Sequence, residues 1–182
     1  MNVIDPKTLV AGTLFAAALA FSSCGSDDDT LDYPVRFTAA NLKSKICEAL
    51  GKPDGAFLTG KDLALLENLK AEKGEITNLS GLEHATKLTK LHLPGNKITS
   101  VFTLATLTNL TNLNLSANHI GSVSPLAKLT DLNLSENRII DVASLAKLTK
   151  LTKLILVDAG NVVDARRDML EKALPNCDIQ FD

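Results

Sequence analysis

Three stretches of this chain repeat one pattern of apolar and polar positions. Residues 88–98 (LTKLHLPGNKI), 110–120 (LTNLNLSANHI) and 129–139 (LTDLNLSENRI) all fit LxxLxLxxNxI, and self-similarity at a period near 20 residues marks a stack of repeated units. In each motif two leucines flank a single residue. Side chains alternate along a strand, so both leucines point inward and the residue between them points out. Stacked coils then align their strands into a parallel sheet with a spacing of about 4.8 Å. Asn96, Asn118 and Asn137 fall where the chain must turn sharply and leave backbone groups unpaired. A buried amide can both donate to and accept from such groups, so these three form a structural ladder rather than a catalytic set.

The flanks carry weaker versions of the pattern. Residues 66–87 keep the register through Leu66, Leu69, Ile76, Leu79 and Leu82, but Ala71 replaces the second strand leucine and Gly74 takes the asparagine position. At the other end Leu151, Leu154 and Leu156 match, with the asparagine displaced to Asn161. Residues 164–174 then place Met169, Leu170, Ala173 and Leu174 at helical spacing, and Pro175 ends that helix. Together with Cys177, Ile179 and Phe181 it is expected to cover the open end of the stack, as terminal units must. Upstream, residues 41–50 put Leu42, Ile46 and Leu50 on one helical face, residues 51–55 (GKPDG) break the chain, and Thr59 is the expected N-cap of a second helix over 61–66. The asparagines are 22 and then 19 residues apart. Comparing residues 104–113 (LATLTNLTNL) with 126–132 (LAKLTDL) places the loss on the return segment. That coil should be pinched on its convex side, with flatter local curvature, while the sheet runs unbroken past Leu113, Leu115, Leu132 and Leu134.

Residues 35–182, and most clearly 88–156, resemble a leucine-rich repeat of the 22-residue, internalin-like type. The resemblance implies an α/β solenoid, a right-handed superhelix with a parallel concave β-sheet, a helical N-terminal cap and a C-terminal capping helix. Its parts would be a cap over 35–65, about five coils over 66–156 and a second cap over 157–182. It also implies binding through the outward positions of the concave sheet. One column reads Asn68, Lys90, Asn112, Asp131, Lys153, and the next Lys70, His92, Asn114, Asn133, Ile155. A third runs Glu72, Pro94, Ser116, Ser135, Val157. The middle is polar and uncharged, lysines gather toward the first coils, and Ile155 with Val157 make an apolar end. No aromatic side chain stands on the expected face, although Trp and Tyr are the usual interface anchors. A solvated face without a ligand therefore stays open.

The N-terminus reads as an address. Residues 8–21 (TLVAGTLFAAALAF) form an uncharged run, long enough for a signal-peptide core and short of the roughly 20 residues that span a bilayer. Phe21-Ser22-Ser23-Cys24 resembles a lipobox, which implies cleavage after residue 23 and a lipid on the Cys24 sulfur; an ordinary cleaved signal or an uncleaved anchor are the alternatives. Residues 24–34 open with a small, acidic tether, and Ser26 to Asp29 resembles the tag that sends some Gram-negative lipoproteins to the outer face. A plain solvated linker explains it too.

Composition changes the picture mainly by exclusion. Leucine supplies 32 of the 182 residues, against six Phe, one Tyr and no Trp, and the net charge is −2. No basic field exists to hold nucleic acid. His84, His92 and His119 fall at different repeat positions, so no metal site or Ser-His-Asp arrangement is expected, and neither is a cofactor. Cys47 and Cys177 lie in opposite caps, too far apart for a disulfide, which needs α-carbons within about 7 Å; both are expected as buried thiols. The reading is a non-enzymatic protein-recognition module, an outer-membrane lipoprotein exposed on the cell surface that touches the membrane through its N-terminal lipid only. The alternatives are a spacer protein without a concave-face ligand and a polysaccharide-binding accessory protein.

Overall fold

The computed structural model describes residues 33–123, 128–159 and 164–181. The expectations for Cys24, for residues 8–21 and 26–29, and for Asn161 lie outside them, as do residues 126 and 127 of the convex pinch expected around 126–132. The fold is a leucine-rich repeat solenoid. Six three-residue strands, β1 (Asn68–Lys70), β2 (Lys90–His92), β3 (Asn112–Asn114), β4 (Asp131–Asn133), β5 (Lys153–Ile155) and β6 (Asp178–Gln180), form one sheet in sequence order. Every pairing is parallel. The central residue of each of the first five strands is a leucine exposed by 2% or less, as the alternation requires.

Each return segment that is described carries a 3₁₀ turn, at Leu82–His84, Phe102–Thr106 and Leu145–Lys147. A leucine every third residue suits this helix, whose side chains at i and i+3 eclipse, so Leu82, Leu104 and Leu145 all face the core. In the shortened coil, Leu129 is fully buried, and β3 still pairs with β4 in unshifted register, Leu113 opposite Leu132. The sheet is continuous there, as expected.

The N-terminal cap is built from two helices. In α1 (Ala40–Ala49), Leu42 and Ile46 lie one turn apart and are fully buried with Cys47, against β1. It stops in a Schellman motif: Gly51, at φ 64°, donates to the Glu48 carbonyl and Lys52 to that of Cys47. The second helix, α2 (Gly60–Leu63), is shorter than the expected 61–66, leaving Leu65 67% exposed. Thr59 caps it as expected, in a reciprocal box. The Asp62 N–H donates to Thr59 Oγ1 (3.3 Å) and the Thr59 N–H to Asp62 Oδ2 (2.9 Å). The Lys52 ammonium, 2.7 Å from Asp62 Oδ1, holds that carboxyl below its ordinary pKa against the opposing effect of burial, and Thr59 adds to the lowering. The cap is locked to the first coil at Gly81, where a Cβ would stand 2.4 Å from the Phe37 ring at φ 101°.

The C-terminal end departs from expectation. In α3 (Asp164–Ala173) the side chain of Leu170 is buried, as is Leu174 just beyond the helix, whereas Met169 and Ala173 face solvent. Two leucines one turn apart suffice to dock a helix over a return segment. Ile179 does more than cover the stack; it is the centre of β6, paired to Leu154. Cys177 is half-buried rather than buried, and burial, then Asp178, raise its thiol pKa. Cys47 and Cys177 are both free, as expected.

A left-handed residue precedes each asparagine position: Lys73, Gly95, Ala117, Glu136 and Asp158, with φ between 48° and 66°. Such a conformation costs a non-glycine residue about 1–2 kcal/mol, partly offset by glycine's larger entropy loss of about 0.5–1 kcal/mol. Glu136→Gly should therefore stabilise the fold by about 0.5–1 kcal/mol, read as a raised melting temperature; a lowered one would contradict this.

Candidate binding face

The asparagines form the expected ladder, each 3–5% exposed. Asn96 Nδ2 donates to the carbonyls of Ala71 (2.8 Å) and Leu93 (3.0 Å), while its Oδ1 accepts the N–H groups of Gly74 and Ile76, both at 3.0 Å. Asn118 repeats this with Leu93, Leu115 and the Ile98 N–H, and Asn137 with Leu115, Leu134 and the Ile120 N–H. Where the motif asparagine is missing, backbone at the last coil and a side chain of the cap at the first finish the ladder. The Ile139 N–H finds the carbonyl of Ala159 at 2.6 Å, and at the first coil the Gly74 carbonyl accepts from Asn41 of α1 at 2.8 Å.

A second ladder escaped the sequence reading. Thr89, Thr111, Thr130 and Thr152 each follow the first leucine of a motif. Their hydroxyls donate to the carbonyls of Glu67, Thr89, Thr111 and Thr130 in turn, at 3.1–3.3 Å. The recurring threonine was the available signal.

These two ladders hold the strands in a register that sets the outward residues in columns. Pairing runs Asn68, Lys90, Asn112, Asp131, Lys153, Asp178 in one column and Lys70, His92, Asn114, Asn133, Ile155, Gln180 in the next, the ten expected positions plus two from β6. Eleven of the lining residues of a depression of about 320 Å³ come from β2 to β5, with Lys70 and Lys90 at one end and Lys153 and Ile155 at the other. In the third column Ser135 is buried, its carbonyl taken by Asn137 and Ala117.

Several of these side chains are already engaged. Asn112 Nδ2 donates to Asp131 Oδ2 (3.0 Å), which also shares the one Thr130 hydroxyl proton (2.7 Å) with the Thr111 carbonyl. Asn114 Oδ1 accepts the N–H and the hydroxyl of Ser116, both at 2.9 Å, and Asn133 Oδ1 accepts the Ser135 N–H at 2.9 Å. His92 Nε2 lies 2.9 Å from Glu72 Oε1 on the next coil. Lys70, Lys90 and Lys153 make no ion pair or hydrogen bond through their side chains among the described residues. His84 and His119 stand elsewhere, His84 in a convex 3₁₀ turn and His119 exposed beside Asn118. Among the described residues no three His, Cys, Asp or Glu side chains gather as metal ligands would.

The family described as Leucine Rich repeats (2 copies) has a sequence model that matches residues 86–128. No curated protein sequence matches the chain. Among solved structures, an internalin (inlF) from Listeria monocytogenes is 27% identical, with 81% of this chain and 45% of that one covered and a TM-score of 0.69. A leucine-rich repeat protein of Leptospira interrogans is 30% identical, with 66% of this chain and 32% of that one covered and a TM-score of 0.58. This chain thus spans less than half the length of either. Repeats, ladders and sheet together establish a chain of leucine-rich repeats folded as a solenoid similar to that of an internalin.

Proposed function

We propose that the protein is a non-enzymatic recognition module, held at a bacterial outer surface by a lipid on Cys24, that binds a protein partner through its concave sheet. The observation that carries this reading is the depression of about 320 Å³, whose walls offer ammonium and amide groups not spent on the fold itself. Rigid strands present these groups at fixed spacing, which spares a binder the entropy of ordering loops. The test is affinity capture from intact cells with the full chain as bait, alongside Lys90→Glu combined with Asn133→Arg. The reading predicts a protein that the wild type retains and the double variant loses. Equal retention by both would leave the module a spacer.

The anchor is tested separately. Mass spectrometry of the membrane fraction should find Cys24 as a lipidated N-terminal residue; an unmodified N-terminus at any other position would remove the tether.

One observation favours polysaccharide binding as a second reading. Tyr33, 74% exposed, lines a depression of about 280 Å³ away from the sheet with Arg36, Glu83 and His84, and an aromatic face beside polar side chains suits a sugar ring. Glycan-array binding lost in Tyr33→Ala would support it.

A further inference from the structure

Resting on the concave-face reading, we infer that the partner presents an extended peptide segment with an acidic and an apolar side chain about four positions apart, laid across the strands. The face is polarised along its length. At one end Lys70 and Lys90 occupy diagonal positions of neighbouring strands, about 7–8 Å apart by sheet geometry, exposed and without an ion pair among the described residues. Glu72, the carboxylate nearest along the chain, is turned to His92. These lysines form a cationic end on a chain whose net charge is −2, so the attraction is local to the face.

The centre offers hydrogen bonds of a peptide's kind. A backbone N–H can only donate, so the bonds from Ser116 and Ser135 fix the Asn114 and Asn133 amides with oxygen toward their own strands. Their NH₂ groups are left without a partner among the described residues, ready to donate to peptide carbonyls. Asp131 spends Oδ2 on Asn112 and Thr130, leaving Oδ1 to accept a peptide N–H. At the far end Ile155 and Val157 are half-buried apolar side chains.

Distance sets the spacing. From β2 to β5 is three strand intervals, about 14 Å, which an extended chain covers in about four residues at about 3.3 Å each. A sulfated polysaccharide fits less well. Lys153 stands in register between Asp131 and Asp178, so a uniform polyanion meets a carboxylate on either side of the far end, and it has nothing to place on Ile155.

The test is selection of a phage-displayed random dodecapeptide library on the immobilised full chain, on Lys70→Gln with Lys90→Gln, on Ile155→Ser and on Asn133→Arg, each checked by a melt. The expected result is enrichment of peptides with Asp or Glu about four positions from a large apolar residue. The lysine double variant should bind such a peptide about tenfold more weakly, with added salt weakening the wild type likewise, and Ile155→Ser should erase the apolar preference. No enrichment, an acidic preference that survives the lysine changes, or a sulfated dodecasaccharide that binds as tightly as the peptide would overturn the inference. Peptides enriched without an acidic preference but lost on Asn133→Arg would overturn it and leave the concave face standing. Acidic peptides indifferent to Asn133→Arg would contradict the concave-face reading itself.

Discussion

Asn118→Ala should lower the stability of the fold by about 1 to 3 kcal/mol in urea unfolding, more than any surface change nearby. The side chain is 3% exposed and serves four backbone groups on two coils. It accepts from the Ile98 N–H and donates to the carbonyls of Leu93, Leu115 and Ser116. Alanine leaves the Ile98 N–H unmet, while the carbonyls of Leu93, Leu115 and Ser116 keep one donor each, from Asn96, Asn137 and the Gly95 N–H; a buried group without a partner costs about 1–3 kcal/mol. His119→Ala, at the exposed neighbour, should stay within about 0.5 kcal/mol. A loss below about 1 kcal/mol for Asn118→Ala would mean that water replaces the amide, and that the ladder is incidental to stability.

Leu113→Ala is expected to cost about 2 to 5 kcal/mol, because the side chain is 2% exposed at the centre of β3 and its removal leaves a cavity between coils. The proper control is Lys90→Ala, an exposed side chain with no partner among the described residues, which should change stability by no more than about 0.5 kcal/mol. Asn114 is a poorer control than its outward position implies, since its Oδ1 also accepts from Ser116. Equal losses at Leu113 and Lys90 would contradict the assignment of inward and outward faces.

What was legible in the sequence followed from periodicity. Leu-x-Leu at a constant offset from asparagine places a strand and its two faces at once, so the columns from Asn68 to Lys153 and from Lys70 to Ile155 could be written down before any coordinates. Strand β6 could not, because Asp178-Ile179-Gln180 carries one apolar residue and no leucine pair. Backbone bonds hold it to the last coil, from Asp178 N–H to Thr152 and from Leu156 N–H to Gln180. Helical spacing over-counted the buried face of α3, since it accepts Met169 and Ala173 as readily as Leu170, and only the docked partner decides between them. The pair His92 and Glu72 joins different columns of adjacent coils, a diagonal that a reading along columns does not examine. Ser116, two residues after Asn114, did carry the local signal of a side chain folding back on its own backbone.

The most direct measurement of the central claim is site-specific photocrosslinking in cells that produce the full chain. A benzophenone side chain placed at His92 or Asn133 on the concave sheet is compared with one at Thr106 or Lys147 on the convex turns. Recognition through the sheet predicts a discrete crosslinked partner from positions 92 and 133 and none from 106 and 147; crosslinks confined to the convex positions would contradict it.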